Sequence, residues 1–162
     1  LIGVEVEFVR LPDRERRMKD LLSQLSEEYD FIIIDCPPSL SFLTINALTA
    51  ADSVLIPIQT EFFCMEGLPD LLRTLDEVRA YLNSSLHLEG IVLTMFDERT
   101  NLSKQVADEV RQSLGGIVFS SVIPRSVKLA EAPGFGKPIL LYDIKSKGAQ
   151  SYLNLAREIT VR

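Results

Sequence analysis

The sequence has few residues of the types that build histidine- or cysteine-based chemistry. Its 162 residues include one histidine, His87, and two cysteines, Cys36 and Cys64. A single histidine excludes a histidine-based metal cluster and argues against a Ser-His-Asp triad. The two cysteines have neither metal-ligand spacing nor a disulfide-rich context, so we expect reduced thiols in a cytoplasm.

Long hydrophobic runs are also lacking. No apolar stretch approaches the ~20 residues of a membrane span, and the N-terminus, LIGVEVEF, lacks the basic start and cleavage site of a signal peptide. The composition, 46% hydrophobic and 25% charged, is ordinary for a soluble globular protein. The length predicts a single domain over residues 1–162. Because the chain starts with Leu, we expect that it was cut from something longer.

Positive charge is in short supply, since the net charge is −6. This total argues against a protein coated for nucleic acid. The segment from Arg125 to Lys147 differs, with five basic and two acidic residues. A basic face there can bind phosphates, and a solvated charged rim explains the same pattern equally well.

Residues 29–58 contain the main structural pattern of the sequence. Its apolar run Phe31–Ile34 predicts a strand buried on both faces of a parallel sheet. The run ends on Asp35, at the edge where open α/β sheets bind ligands. An acid in this place suits a magnesium site of the Walker B type, and the alternative is an acid that merely terminates a strand. Ser39 is predicted to cap the following helix.

Helices and strands alternate along the chain. Residues 1–11 fit either a strand or a helix. The predicted helices are Asp13–Leu25, one through Leu43–Leu48, one from Leu68 to Leu82 with Pro69 in its first turn, one through Val106, Val110 and Leu114 that Asn101 caps and Gly115-Gly116 stops, a short turn at 127–130 and Ala149–Ile159. Strands are predicted at Val54–Ile58, Leu88–Met95 and Val118–Ile123. This alternation predicts an α/β fold, a parallel sheet with helices on both faces.

Three ordered tracts resemble ParA/Soj-type partitioning ATPases, members of the deviant-Walker P-loop class (SIMIBI type) that also contains MinD. They are YDFIIIDCPPSLSFLTINALTAADSVLIPIQTEFFCMEGL, LEGIVLTMFDERTNLSKQVADEVR and VIPRSVKLAEAPGFGKPILLYD, continued by KSKGAQSYLNLA. The resemblance covers nearly the whole chain and is weak only over residues 1–28.

The resemblance implies ATP and magnesium as cofactors. Asp35 would reach the magnesium ion through water. Thr94 and Met95, with Pro124, Arg125 and Ser126, would hold the adenine at the ends of two later strands. The family usually has Asn where this chain has Ser126. The alternative for Thr94 and Pro124 is ordinary strand termination.

The resemblance also implies an ATP-dependent homodimer that binds DNA without sequence preference and works with a ParB-like centromere-binding protein. It implies a cytoplasmic, nucleoid-associated protein that does not bind membranes. The residues matching the DNA contacts are Arg99 and Lys128. Lys128 replaces the family's usual Arg, so it keeps the charge and loses the bidentate geometry.

The family's Gly-rich phosphate-binding loop is not found in this sequence. The candidate Gly134–Pro138 lacks a following helix N-terminus, because Pro138 succeeds Lys137. We therefore expect the C-terminal part of such an ATPase, with the first strand and P-loop helix missing, that hydrolyses no ATP alone. A non-catalytic truncated homologue that binds DNA or a partner is the alternative. A MinD-like membrane protein is disfavoured, because the last helix lacks a strongly apolar, Lys-flanked face.

Overall fold

The computed structural model describes residues 13–25, 28–37, 39, 41–64 and 66–161. The two interpretations of residues 1–11 therefore lie outside the described residues. In chain order the regular elements are a 3-10 turn (Arg14–Arg16), α1 (Arg17–Leu22), α2 (Phe42–Ala50), β1 (Ser53–Gln59), α3 (Leu68–Tyr81), β2 (His87–Phe96), α4 (Asn101–Leu114), a 3-10 turn (Gly115–Ile117), β3 (Val118–Pro124), α5 (Val127–Glu131), a 3-10 turn (Ala132–Phe135), α6 (Ile139–Tyr142) and α7 (Lys147–Val161).

The chain divides into two compact units, one up to Val54 together with 68–87, the other 55–67 together with 88–162. In its described part the first unit is helical and forms around α2, in which five of the last seven residues are buried (Thr44, Asn46, Ala47, Leu48 and Thr49). Asn83, buried after α3, donates from Nδ2 to the carbonyls of Leu48 and Ala51. This amide therefore satisfies the carbonyl groups that the C-terminus of α2 leaves unpaired.

The prediction of a buried strand at Phe31–Ile34 is wrong. Residues 31–37 have no regular secondary structure, and the side chain of Ile33 is 92% exposed. A strand is buried on both faces only when neighbouring strands and covering helices surround it. The described residues place no strand beside this run, so its apolar sequence cannot by itself produce the burial.

The first predicted helix, Asp13–Leu25, is shorter than expected, and its leucine side chains are only partly covered. The helix α1 ends at Leu22, and Leu21 and Leu25 are exposed. Ser39 does not cap α2, because the N-cap position is Ser41, whose side chain makes no capping hydrogen bond. The hydroxyl of Thr44 instead donates to the carbonyl of Ser39 at 2.6 Å.

The second unit contains a sheet with strand order β1–β2–β3 among the described strands. The strands β2 and β3 are parallel, with Ile91 opposite Val118 and Phe96 opposite Pro124. Burial alternates along β1, whose outward positions include Pro57. Pro57 cannot donate to a ladder, which suits an outermost strand. The predicted α/β class with a parallel sheet is confirmed.

The core of this unit lies between β3 and α7. Val92, Phe119, Ile123 and Leu155 form a buried cluster, and Leu129 of α5 packs against it. Glycine ends α4 as predicted, because Gly115 adopts φ 56°, a region that side chains other than glycine rarely occupy. The N-cap of α4 is Thr100, one residue before the predicted Asn101, and its hydroxyl accepts from the Ser103 amide.

The strand β3 is distorted in its middle. Between two paired positions, β2 advances by two residues, from Ile91 to Leu93, whereas β3 advances by four, from Val118 to Val122. The carboxylate of Glu158 on α7 accepts from the consecutive amides of Ser120 and Ser121 at 2.7 and 2.9 Å. The side chain therefore satisfies two amides that an irregular strand would leave unpaired.

Candidate functional site

Polar groups converge where β1 and β2 end, in the second unit. The hydroxyls of Thr60 and Ser103 are buried and lie 2.6 Å apart. Thr60 donates its amide to the carbonyl of Thr94 at 3.1 Å, and the Ser103 hydroxyl accepts from the amide of Asp97 at 3.1 Å. These hydrogen bonds join the ends of both strands to the first turn of α4, and they hold the loop that carries Asp97.

The backbone at the end of β2 is strained. Met95 has φ 54°, in the left-handed region, and it lies within an irregularity of the β2–β3 register between Leu93 and Phe96. Such a conformation costs a non-glycine residue on the order of 1–3 kcal/mol and is concentrated at ligand sites. The side chain of Met95 is exposed. The bend therefore turns an apolar thioether away from the core.

A cavity of about 640 Å³ opens beside these groups. Its volume is in the range of small-molecule sites. Thioether, aromatic, hydroxyl and charged side chains line it together: Gln59, Thr60, Glu61, Phe62, Phe63, Cys64, Met95, Asp97, Thr100, Leu102, Ser103 and Arg125. The rings of Phe62 and Phe63 meet edge to face, with centroids 5.0 Å apart.

The predicted adenine residues fall into two groups. Met95 and Arg125 line the cavity. The hydroxyl of Thr94 donates a hydrogen bond to the carbonyl of Ile58. Pro124 pairs with Phe96 in the sheet, and Ser126 occupies the N-cap position of α5. The strand ends therefore bring Met95 and Arg125 to one cavity, and the other three flank it. The role of all five in binding a nucleotide stays a prediction.

Sequence reasoning missed the groups that give the cavity its polar character. These are Thr60, Ser103 and Asp97, with Phe62 and Phe63 on the apolar side. A signal existed for Thr60 and Asp97, since each lies two residues after the end of a predicted strand. Nothing in the local sequence pairs Thr60 with Ser103, because the two residues are 43 positions apart.

Arg99, a predicted DNA contact, is bound to Asp97. Its Nε and Nη2 donate to the two oxygens of the Asp97 carboxylate at 2.9 and 2.8 Å, and its amide donates to Oδ1 at 3.0 Å. The Arg99 side-chain hydrogen bonds, with the charges of Arg99 and Arg125, hold the pKa of Asp97 well below its ordinary value. Asp97 is therefore a carboxylate throughout the physiological range.

Lys128, the other predicted DNA contact, lies in a cluster on α5 and α6. Its Nζ is 3.5 Å from Oε2 of Glu131 and 5.5 Å from the centroid of the Tyr142 ring. The hydroxyl of Tyr142 donates to the same Glu131 oxygen at 3.0 Å. Phe135 stacks on Tyr142 with centroids 5.2 Å apart. The cation thus lies against a carboxylate and an aromatic face.

The loop Gly134–Pro138 does not resemble a phosphate-binding loop in its hydrogen bonds. The amides of Gly136 and Lys137 donate to the carbonyls of Pro133 and Ala132. These two amides are consequently unavailable to a phosphate, since P-loops depend on free backbone amides.

Asp35 lies in the first unit and is exposed. Within the described residues, no three His, Cys, Asp or Glu side chains are close enough to hold a metal ion together. Among the described helices, none combines the length and the hydrophobicity that crossing a bilayer requires.

Comparison with known proteins decides the family. A family model described as an AAA domain matches residues 1–88. The chain is 57% identical over all 162 residues to the chromosome partitioning protein ParA of Myxococcus xanthus, and covers 57% of that protein. It is 54% identical to the sporulation initiation inhibitor protein Soj of Bacillus subtilis, over 98% of this chain and 63% of Soj. This chain belongs to the AAA-domain family, in its ParA/Soj branch.

A solved structure gives the same fold for the ParA/Soj chain. Cobyrinic acid a,c-diamide synthase of Mycobacterium smegmatis, with a bound ATP analog and magnesium, superposes with a TM-score of 0.79 at 34% identity. The match covers 96% of this chain and 57% of that structure. The P-loop NTPase class predicted from the sequence tracts is confirmed. The chain spans about three fifths of the length of the ParA and Soj proteins that it matches.

Proposed function

We propose that this chain is the part of a ParA/Soj-like partitioning ATPase that contacts the nucleobase and DNA. The single observation that carries the proposal is the 57% identity to a chromosome partitioning ParA protein over all 162 residues. The geometry of the second unit supports it, since the cavity and both predicted DNA contacts lie there. In the whole protein, ATP hydrolysis would time the switch between a DNA-bound homodimer and a released monomer.

The cavity fits the base of ATP. A flat, largely apolar ring needs apolar contact on its faces and hydrogen-bonding groups at its edge. Met95, Phe62 and Phe63 offer apolar contact, and Arg125 and Gln59 offer hydrogen bonds. The left-handed backbone at Met95 supports a ligand role, because backbone strain persists where function requires a defined geometry.

Asp35 suits magnesium as a ligand that acts through water. Magnesium in nucleotide sites is held by one or two carboxylates and completed by phosphates and water. The exposed carboxylate of Asp35 agrees with that arrangement, in which the nucleotide supplies other ligands. Magnesium bound there would neutralise charge on the phosphates.

Arg99 and Lys128 would neutralise DNA phosphates. Both side chains are exposed, and both belong to the second unit. A sequence-independent contact requires cations on the surface and no reading of base edges. A ParB-like centromere-binding protein would be the partner that couples the switch to segregation, in the cytoplasm on the nucleoid.

DNA binding by the native gene product tests the proposal. With magnesium and a non-hydrolysable ATP analogue, the fluorescence anisotropy of a labelled duplex should rise on binding, for any duplex sequence. Arg99→Ala and Lys128→Ala should each lower the slope of log affinity against log salt by about 1. Lys104→Ala, on the exposed face of α4, should leave the slope unchanged. A duplex that does not bind would refute the DNA-binding function, and an equal effect of Lys104→Ala would refute the assignment of the contacts to Arg99 and Lys128.

The chain alone should hydrolyse no ATP, because phosphate contacts supply most of the affinity in P-loop proteins. A robust magnesium-dependent ATPase rate from the purified 162-residue chain would contradict this expectation. The intact mass of the native product, compared with 18.2 kDa, separates the two interpretations. A heavier product supports the ATPase. A product near that mass supports the non-catalytic DNA- or partner-binding module.

A further inference from the structure

The pair between Asp97 and Arg99 is asymmetric in its exposure. The Asp97 side chain is 16% exposed, whereas that of Arg99 is 86% exposed. Both carboxylate oxygens face the guanidinium. A mostly covered anion therefore lies behind a cation that is almost wholly in solvent.

Asp97 is itself anchored by backbone hydrogen bonds. Its amide donates to the Ser103 hydroxyl, which pairs with the buried hydroxyl of Thr60. Its carbonyl accepts from the amide and the hydroxyl of Thr100 at 3.1 and 3.2 Å. The carboxylate is consequently attached to a well-bonded corner between β2 and α4, while Arg99 occupies the exposed loop.

The guanidinium keeps an open edge. Arginine has five N–H donors, and two of them are directed at Asp97, one from Nε and one from Nη2. Within the part of the chain that the structure describes, the donors of Nη1 and the second donor of Nη2 have no hydrogen-bond partner, and they form the edge at the end of the side chain. That edge has the fork geometry that binds a phosphate through two parallel hydrogen bonds.

We propose that Asp97 is a positioning residue that holds Arg99 with its open edge directed to a DNA phosphate. This inference rests on the proposed DNA-binding function. The rival interpretation is that Asp97 competes with phosphate for Arg99, since a neighbouring carboxylate cancels part of the charge that DNA would meet. The two interpretations predict effects of opposite sign when the carboxylate is neutralised.

Asp97→Asn provides this test, with Glu98→Gln as its matched control. Both substitutions remove one negative charge from adjacent positions. Glu98 is exposed and contacts Lys147 at 3.4 Å, whereas the hydrogen bonds of Arg99 described above are made to Asp97. Charge alone predicts tighter DNA binding for both variants. Positioning predicts about threefold to tenfold weaker binding for Asp97→Asn and equal or tighter binding for Glu98→Gln.

Arg99→Lys gives a second route that does not alter the Asp97 corner. Lysine keeps the charge and cannot form the two-pronged pair. It should weaken DNA binding about as much as Asp97→Asn does, and the double variant should be little weaker than either single variant. The salt slope should fall by about 1 in Asp97→Asn, because a phosphate contact is lost rather than repelled. Urea unfolding of each variant shows whether it is folded.

The outcomes distinguish failure of the positioning role of Asp97 from failure of the proposed DNA-binding function. If Arg99→Ala weakens binding while Asp97→Asn strengthens it like Glu98→Gln, DNA binding stands and the positioning role is refuted. Wild-type affinity for Arg99→Lys also refutes positioning. If Arg99→Ala changes nothing, the DNA contact itself is refuted, and the role of Asp97 with it. Weaker binding of Asp97→Asn and Arg99→Lys, with Glu98→Gln unaffected, supports the inference.

Discussion

Gly148 is the position at which a single methyl group should disrupt the second unit. It is the second residue of α7 and is buried. A Cβ atom built there would lie 2.7 Å from Cγ of Leu129 and 2.9 Å from each of its Cδ atoms. Real Cβ atoms do not approach so closely, and the nearest atom is a branch point rather than the free end of a flexible chain. Gly148→Ala must therefore displace Leu129 or the helix that carries it.

The cost follows from overpacking. Leu129 packs against the cluster formed by Val92, Phe119, Ile123 and Leu155, so its displacement disturbs the core. Overpacking costs about 1–3 kcal/mol, and the gain in helix propensity from Gly to Ala offsets at most about 1 kcal/mol. We expect Gly148→Ala to lower the free energy of unfolding by about 1–2 kcal/mol. In urea this is a fall in the midpoint of about 0.5–1 M.

The assay is urea unfolding followed by circular dichroism, with two further variants. Gly134→Ala is the control, because a Cβ there meets no atom within 4 Å, and its effect should stay within about 0.5 kcal/mol. In a Leu129→Ala background the clash is gone, so Gly148→Ala should then be neutral or stabilising. An equal cost in both backgrounds, or no cost beyond that of Gly134→Ala, would refute the packing argument.

Two further predictions concern carboxylates of the second unit. Glu158→Ala removes the acceptor of two β3 amides and should destabilise the protein by about 1–3 kcal/mol; thermal unfolding that matches the exposed-site control Glu77→Ala would contradict this. The hydrogen bond to Glu131 raises the pKa of Tyr142. The hydrogen bond therefore stabilises the folded protein fully below about pH 10, the ordinary tyrosine pKa. This stabilisation is lost as the pH rises through the pKa of Tyr142 in the folded protein. Glu131→Gln should lower the pKa of Tyr142, seen as tyrosinate absorbance in difference from Tyr142→Phe; an unchanged titration would disprove the role of Glu131.

Local sequence patterns predicted much of the second unit. The helix ending at Leu114 follows from Gly115, which takes a backbone conformation that glycine adopts at little cost. The strand predicted at Leu88–Met95 is observed at His87–Phe96. This prediction succeeded because the apolar run that indicates the strand lies within the strand itself. The predicted N-cap of α4 is wrong by one residue, because Thr100 and Asn101 are adjacent and both are residue types that cap helices.

The same reasoning failed at Phe31–Ile34, whose sequence is as apolar as that of a central strand. Hydrophobicity shows what a segment would gain from burial, but pairing partners and covering helices determine whether burial occurs. Sequence patterns also did not predict the hydrogen bond between the hydroxyls of Thr60 and Ser103. Each hydroxyl is unremarkable alone, and only the fold brings the two together.

The sequence by itself determined the family, the alternation of strands and helices from β1 to α7, and the placement of Met95 and Arg125 at strand ends. These depend on residues within one element or its immediate neighbours. The tertiary structure alone decided that Glu158 satisfies two amides of β3, that Leu129 excludes a side chain at Gly148 and that the apolar side chains from Phe31 to Ile33 are exposed. Such contacts form between elements far apart in the chain, so no local pattern encodes them.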